Sequence, residues 1–297
     1  MTQSSGSFTL RLLGGLGNQL HGVAAGYVIG GNTGLTPVFD GSDIPWGSNA
    51  SRKIEVDKFV WPAVYGTSSS IKMRKPFITP VRNGPHQRVA ARMRDKIKKQ
   101  GNLVSIDSYE EREAIFEAAA SGLILSGYFN DYEWIASAFE FGFPTFLQPR
   151  KININILESP YNAVHIRLTD YLWYPEIYPL VSEKYLLAGI ENMNSNYPTY
   201  IFTDDVKTAL KKFPLVCKIA KEIIGPKTMG TIESFVSMSR AKNIVTANSS
   251  FSSWAAVFVD RQGGKVITPE KMNFTSAEEN RPANWVRLSI SDGTKIS

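Results

Sequence analysis

Three polar segments hold the residues of this chain that are best suited to chemistry, and each follows an apolar run typical of a β-strand. They are "VHIRLTD" at 164–170, "YIFTDD" at 200–205 and "VTANSSFS" at 245–252. Ligands of parallel α/β sheets bind beyond the carboxyl ends of the strands, so we expect the three segments to meet. A fixed cation, a carboxylate and a hydroxyl-rich helix start together indicate a site for a nucleoside diphosphate without a metal ion.

The first segment supplies the cation. Apolar residues alternate with His165 and Arg167, so these two side chains share one face of the predicted strand. A guanidinium presents a planar fork of donors that suits a diphosphate, and His165 could donate to the same phosphate or orient a neighbour. The alternative is a strand with one face in solvent and an ion pair between Arg167 and Asp170.

The second segment ends in two adjacent carboxylates. Hydrogen bonding to a base or ribose and coordination of Mg²⁺ are the functional alternatives, but no second acidic cluster follows a suitable strand, and we expect no metal site. Capping of the next helix explains one of the two residues, Asp205. Recognition of a base edge is the prediction for Asp204.

The third segment predicts an anion site at a helix N-terminus, where backbone N–H groups and the helix dipole favour negative charge. Plain capping by Ser252 or Ser253 is the alternative. Four consecutive residues exceed what one cap requires, and they are the candidates for nucleotide binding: Asn248, Ser249, Ser250 and Phe251.

A glycine turn near the start of the chain, "LLGGLGNQL" at 12–20, is a fourth candidate. It is not a P-loop, because no Lys follows, and Leu20 stands where a dinucleotide fingerprint has its third glycine. Gly15 and Gly17 nevertheless allow backbone to approach a phosphate closely. We expect this turn to reach the same diphosphate from another domain.

Periodicity places these segments on alternating strands and helices, which predict parallel sheets. The stretch at 141–162 carries three prolines, so we expect domains at 1–150 and 151–297, with a long loop region at 32–80 in the first. The predicted strands are 8–13, 123–129, 163–168, 199–205, near 216–220, 243–247 and 265–268. The predicted helices follow the glycine turn and lie at 131–140, 183–194, 206–213, 231–240 and 253–259.

Composition narrows the function classes. The 297 residues carry a net charge of +6 and a single cysteine, Cys217, which is typical of a reducing compartment. No signal peptide or membrane span is evident, so we expect a cytoplasmic protein. The basic helix at 86–99 is either a solvated face or a contact with an anionic membrane surface; its few aromatic residues disfavour nucleic acid, and none is expected as a partner.

The four segments together resemble a known family. "GGLGNQL", "VHIRLTDY", "IFTDD" and "NSSFSSWAA" are similar, in this order, to the motifs GGLGNQMFQYA, HxRRxDY, FSDD and SNSSFSWWAA. These motifs are those of the α-1,2-fucosyltransferases of glycosyltransferase family 11. "LSGYFNDYEWI" at 125–135 and "RPANWVRL" at 281–288 resemble two further segments of that family.

The resemblance implies a GT-B-like fold of two Rossmann-like α/β domains with the active site in the cleft between them. It implies an inverting, metal-independent transfer of fucose from GDP-fucose, the donor substrate, with no cofactor. The acceptor would be an oligosaccharide or glycolipid, with an α-1,2 linkage to galactose. The alternatives are another GDP-sugar, another linkage, or a non-catalytic glycan-binding relative.

The resemblance also assigns roles to residues. Arg167 would contact the diphosphate and stabilise the leaving charge, with His165 as its partner. Asp204 would read guanine, and Asn18 would reach the donor from the glycine turn. Ser250 and Phe251 would line the nucleotide pocket. The second arginine of the family motif is Leu168 here, and by strand alternation it points away from Arg167.

Overall fold

The computed structural model describes residues 6–42, 44, 52–65, 67, 72–74, 103–151, 157, 160–193, 196–272 and 281–296. The predicted basic helix at 86–99 lies outside these residues. The chain divides into two compact units, Met1–Arg150 and Lys151–Ser297. Each unit contains a parallel sheet with helices, which confirms the predicted GT-B-like class of two Rossmann-like α/β domains. A site in a cleft between the domains stays a prediction.

The first unit contains a five-stranded parallel sheet in the order β3-β2-β1-β5-β4. Its strands are β1 Ser7–Arg11, β2 Thr36–Asp40, β3 Lys72–Arg74, β4 Leu103–Ser105 and β5 Ile124–Ser126. Its helices are α1 Leu16–Thr33, α2 Arg112–Ala120 and α3 Tyr132–Ala138. Short 3₁₀ turns lie at Val56–Lys58, Tyr109–Glu111 and Phe139–Phe141.

The predicted loop region at 32–80 is wrong in part, because β2 and β3 lie within it. The strand β2 contains Pro37 and is buried along most of its length, so it shows neither the alternation nor the composition of an ordinary strand. The helix before it, α1, ends at Gly34, which adopts a left-handed φ of 72° and donates its backbone N–H to the carbonyl of Gly30.

The second unit contains a six-stranded parallel sheet in the order β11-β10-β9-β6-β7-β8. Its strands are β6 Asn162–Ile166, β7 Thr199–Thr203, β8 Glu222–Ile224, β9 Asn243–Val245, β10 Lys265–Pro269 and β11 Val286–Leu288. Its helices are α4 Thr169–Trp173, α5 Glu183–Met193, α6 Val206–Lys212, α7 Pro214–Ile219, α8 Thr231–Ser239 and α9 Ser250–Arg261.

The strand predicted near 216–220 is wrong: this segment is the helix α7, and the strand β8 follows it. Pro214 stands in the first turn of α7, where its missing N–H costs nothing. The Glu183 carboxylate caps the helix, since its Oε1 accepts hydrogen bonds from the backbone N–H groups of Leu215 (2.7 Å) and Val216 (3.2 Å). That cap comes from a residue about thirty positions away, so local periodicity could not reveal it.

Two buried asparagines fix the amino ends of the central strands in the second unit. Asn162 and Asn243 are paired in register, and Asn243 Nδ2 donates to Asn162 Oδ1 at 2.9 Å. Asn162 Nδ2 donates to the carbonyl of Tyr197, and Asn243 Oδ1 accepts from the backbone N–H of Lys265. The two amides therefore hold β6, β9 and the start of β10 together at the amino edge of the sheet, which we call the asparagine clamp.

The strand β6 and the residues after it are closely packed in the second unit. Every residue of β6 is buried, and Leu168 joins the core cluster beneath the sheet, as strand alternation predicts. On the α5 side the helix approaches the sheet so closely that a Cβ built on Gly189 would lie 2.7 Å from Val245 Cγ1.

Candidate active site

The three polar segments meet in the second unit. The strand β6 lies between β7 and β9, with Ile166 opposite Thr203 and Val164 opposite Val245. All three strands are parallel, so their carboxyl ends lie at one edge of the sheet. The convergence predicted from the sequence is therefore present within this unit.

Arg167 lies at the centre of this edge and is held by two carboxylates. Its Nε donates to Asp170 Oδ1 at 2.8 Å, and its Nη1 lies 3.0 Å from Asp204 Oδ2. Burial would lower the pKa of Arg167, but the hydrogen bond with Asp170 and the charge of Asp204 outweigh it and raise the pKa. The guanidinium therefore stays charged. The ion pair with Asp170, which was the alternative considered for this segment, is present, and contact of Arg167 with a diphosphate stays a prediction.

Asp204 closes the turn that follows β6. Its Oδ1 accepts from the backbone N–H of Leu168 at 2.9 Å, and its Oδ2 accepts from the N–H (3.2 Å) and the hydroxyl (2.6 Å) of Thr169. Together with Arg167 Nη1, four donor groups of the protein therefore contact the Asp204 carboxylate. Recognition of guanine by Asp204 stays a prediction; the contacts present are those of a group that positions Arg167.

Asp205 has the ordinary role that the sequence allowed. Its side chain caps α6, with Oδ1 accepting from the backbone N–H of Thr208 at 3.1 Å and Oδ2 from the hydroxyl at 2.6 Å. These hydrogen bonds lower the pKa of Asp205. The two adjacent aspartates are thus divided between the helix cap and the edge of the sheet.

His165 is buried beside the arginine and is neutral. Only 4% of it is exposed, and burial lowers its pKa to about 4, with the Asp204 charge opposing this shift and the Arg167 charge adding to it. Its ring lies 5.6 Å, centroid to centroid, from the ring of Phe251 at the start of α9. Among the described residues, none makes a hydrogen bond with its Nδ1. This atom is itself buried.

The helix α9 begins at Ser250, so Ser252 and Ser253 lie inside it and neither is the N-cap, contrary to the alternative considered for this segment. The N-cap residue is Ser249, whose side chain makes no capping hydrogen bond. Ser252 Oγ instead donates back to the carbonyls of Ala247 and Ser249. The positive end of this three-turn helix therefore lies beside His165, and no serine side chain caps it with a hydrogen bond.

Asn248 and Tyr171 support this edge of the sheet through hydrogen bonds. Asn248 is buried, and its Nδ2 donates to the carbonyls of Pro179 (2.8 Å) and Met272 (3.0 Å). The Tyr171 hydroxyl donates to the backbone carbonyl of Asn248. Tyr171 also stacks on Tyr178 at 4.8 Å with the rings 11° apart. Sequence reasoning missed Tyr171, although it is the last residue of the quoted "VHIRLTDY" segment.

The glycine turn in the first unit is shaped by a neighbouring segment. Gln19, which sequence reasoning missed, is fully buried; its Nε2 donates to the carbonyls of Gly14 and Lys53, and its Oε1 accepts from the backbone N–H of Glu55. A Cβ on Gly15 would lie 2.4 Å from Arg52 Nη1. The close approach at Gly15 is thus one between protein segments. Contact of the turn with a phosphate stays a prediction.

Asn18 and Gly17 lie in the first turn of α1. The Asn18 side chain lies over Gly14, where an added Cβ would come within 2.6 Å of Asn18 Nδ2. Gly17 is buried at the start of the helix. The predicted contact of Asn18 with a donor stays a prediction.

A second buried histidine braces the first unit. His21 makes a hydrogen bond with the backbone of Phe129, and burial lowers its pKa to about 4. Phe129 follows β5 and has a φ of 52°, a left-handed conformation that side-chain-bearing residues seldom adopt. His21 thus links the start of α1 to the carboxyl end of β5.

Neither a metal cluster nor a membrane span is seen in the described part of the chain. No group of three or more His, Cys, Asp or Glu side chains there could hold a metal ion. Of the helices described, none has both the length and the apolar character needed to cross a membrane.

Several solved structures are similar to this chain at low identity. The α-1,6-fucosyltransferase NodZ from Bradyrhizobium, soaked with GDP-fucose, is 13% identical with a TM-score of 0.42, covering 85% of this chain and 93% of its own. POFUT1 in complex with GDP is 11% identical with a TM-score of 0.44, covering 89% and 97%. The heptosyltransferase WaaC from E. coli with ADP is 10% identical with a TM-score of 0.49, covering 98% and 96%. At this similarity none of them identifies a substrate.

The sequence comparisons are more specific. No curated protein matches the chain significantly. The model of glycosyl transferase family 11, however, matches residues 145–289. This range contains Arg167, Asp204 and the whole of α9, so the residues that meet at the edge of the second sheet lie within the matched region. Over residues 145–289, the chain is therefore similar to glycosyl transferase family 11.

Proposed function

We propose that this protein transfers L-fucose from GDP-β-L-fucose to a hydroxyl of a glycan acceptor, with inversion and without a metal ion or cofactor. The family match over residues 145–289 supports a glycosyltransferase, and the ordered motifs support fucose as the sugar. The observation that carries the proposal is a fixed guanidinium, Arg167, beside a neutral histidine and the start of α9.

The chemistry of this arrangement is stabilisation of a leaving diphosphate. As the bond between the anomeric carbon and the phosphate oxygen breaks, the sugar gains oxocarbenium character and negative charge grows on the diphosphate. Arg167 and the positive end of α9 provide charge of the opposite sign where it is needed. Groups held in place before the reaction cost no reorganisation, and such stabilisation is usually the largest catalytic contribution.

The two carboxylates on Arg167 are consistent with this role, because they fix the orientation of the guanidinium. Asp170 holds Nε and Asp204 holds Nη1. In the described part of the chain no side chain accepts from Nη2, so that nitrogen can donate to a phosphate oxygen. His165 is neutral, so it adds no charge beside the guanidinium.

The test is the variant Arg167→Gln, which keeps a planar polar group and removes the charge. We expect kcat/KM with GDP-fucose to fall by on the order of a hundredfold or more, as when an oxyanion donor is removed. The matched control is Arg240→Gln, because Arg240 is an exposed residue at the end of α8 in the same unit. Equal turnover by the parent and Arg167→Gln would overturn the proposed role.

The donor and the metal requirement are tested by calorimetry in EDTA with GDP-fucose, GDP-mannose and UDP-galactose. We expect binding of GDP-fucose, weaker binding of GDP-mannose and none of UDP-galactose. A requirement for Mn²⁺, or a preference for another sugar nucleotide, would contradict the proposal. Binding without turnover on any galactoside would favour the non-catalytic alternative. The α-1,2 linkage to galactose rests on the motif resemblance, and NMR of the product tests it.

A further inference from the structure

Four apolar side chains directly after the arginine motif are left in solvent. They are Leu172, Trp173, Tyr174 and Ile177, which we call the aromatic platform. Trp173 is 70% exposed and Tyr174 is 47% exposed. The other tryptophans of the described chain are buried, so the exposure of Trp173 requires an explanation.

The platform is rigidly connected to the edge where Arg167 lies. Asp170, on α4, accepts a hydrogen bond from Arg167, and Tyr171, the next residue, donates to the carbonyl of Asn248. Tyr171 also stacks on Tyr178. These contacts fix the helix to the candidate donor site, while Trp173 at its end is exposed to solvent. Trp173 follows Asp170 by three positions, a rise of about 5 Å along the helix.

The charged residues near the aromatic platform indicate which kind of partner it can bind. The stretch 168–182 contains Asp170 and Glu176 and has no Lys or Arg. An anionic lipid surface binds through clustered basic residues, and nucleic acid through Lys and Arg at its phosphates, so neither suits this surface. An uncharged partner does. Indole and phenol rings combine an apolar face with a polar edge, which matches a sugar ring that has C–H groups on one face and hydroxyls around it.

We propose that the aromatic platform binds a pyranose ring of the glycan acceptor, with Trp173 as the principal contact. This inference rests on the proposed function, because an acceptor must reach the sugar that Arg167 helps to release. Its site is distinct from the donor contacts: the platform touches the acceptor, whereas Arg167 and His165 touch the diphosphate. Substitution of Trp173 should therefore change acceptor recognition and leave donor affinity unchanged.

Fluorine NMR of the full chain labelled with 5-fluorotryptophan tests this directly. The six tryptophans give six signals, and the one lost in Trp173→Phe is that of Trp173. With GDP bound, we expect this signal to shift saturably on titration with lactose, N-acetyllactosamine or chitotetraose. No shift with any of these sugars, or a shift only with phosphatidylglycerol vesicles, would overturn the inference.

Kinetics with the sugar that shifts the signal provide the second measurement. We expect Trp173→Ala to raise the acceptor KM by about tenfold or more, since exposed tryptophans at binding surfaces commonly contribute this much. Trp173→Phe should restore most of it, and hydrolysis of GDP-fucose without acceptor should be unchanged. The control is Leu215→Ala, on the exposed face of α7. An unchanged acceptor KM in Trp173→Ala would refute binding of the acceptor by the platform.

The two proposals fail in different ways. If GDP does not bind to the parent protein, the proposed function fails and the platform fails with it. If GDP binds and GDP-fucose is hydrolysed, but Trp173→Ala behaves as the parent does towards every sugar acceptor, only the platform fails.

Discussion

Arg167 shows how strongly a functional side chain depends on the residues that hold it. Two carboxylates fix the guanidinium, and one of them, Asp204, also accepts three hydrogen bonds from Leu168 and Thr169. Thr169 stands at a position that the motif HxRRxDY leaves open, and its hydroxyl adds a donor to Asp204 at 2.6 Å. This hydroxyl therefore strengthens the support of the arginine.

Substitution of Asp204 separates its two possible roles. We expect Asp204→Asn to lower kcat/KM by roughly ten- to a hundredfold, because Arg167 and the turn after β6 lose a charged partner. GDP and inosine diphosphate, which lacks the 2-amino group, should lose affinity equally. Calorimetry with both nucleotides measures this. If Asp204 reads guanine, the preference of the parent for GDP should vanish in the variant instead.

At this scale the sequence identifies the candidate site residues better than the residues that support them. Alternation along one strand is enough to place His165 and Arg167 on one face, and the structure places them so. The contacts of Asp204 with Thr169 join residues 35 positions apart, and those of Tyr171 with Asn248 join residues 77 apart. No periodic pattern in the sequence indicates such long-range pairs, so the sequence did not predict the residues that support the site.

Among the elements, the close contact of α5 with β9 limits the size of the side chain at position 189. We expect Gly189→Ala to destabilise the second unit by about 1–3 kcal/mol, because the new Cβ would come within 2.7 Å of Val245 Cγ1. An exposed helical glycine would instead gain stability from this change. Urea unfolding measures the difference.

The matched control for this contact is the double variant Gly189→Ala with Val245→Ala. Removing the valine methyl groups makes room for the new Cβ, so part of the loss should be recovered relative to the sum of the single changes. Strict additivity would show that the crowding is not the cause.

The elements that the sequence predicts correctly are those with strong local signals. The strand at Asn162–Ile166 and the helix at Glu183–Met193 lie close to their predicted bounds. The errors have identifiable causes: α7 is capped by the distant Glu183, and β2 is buried without alternation. Short strands at sheet edges, such as β3 and β11, have three residues each, too few for a pattern.

For the molecule as a whole, each unit has a buried, neutral histidine among its described residues, and this predicts how stability depends on pH. The folded pKa values of His21 and His165 are lowered to about 4 from 6.5, so the unfolded chain binds more protons between these values. Stability should therefore fall as pH decreases from about 6.5 towards 4. Each histidine should contribute a loss of about 2 kcal/mol between pH 7.5 and pH 5.

Urea unfolding of the parent, His21→Gln and His165→Gln at the two pH values measures this loss. Each variant should lose less stability on acidification than the parent does, in the unit that carries the substitution. If both variants follow the parent, the pKa values of the buried rings are not lowered.

The asparagine clamp has a consequence for how such a protein can diverge. Asn162 and Asn243 hold the strands of the second unit together at the amino edge, whereas the candidate site lies at the opposite edge. Related proteins can therefore change the residues that follow the strands, including α4 and its aromatic side chains, while the strands keep their order and register. Lineages with new sugar preferences could arise through few changes, which makes this edge a practical place to begin directed evolution of glycan choice.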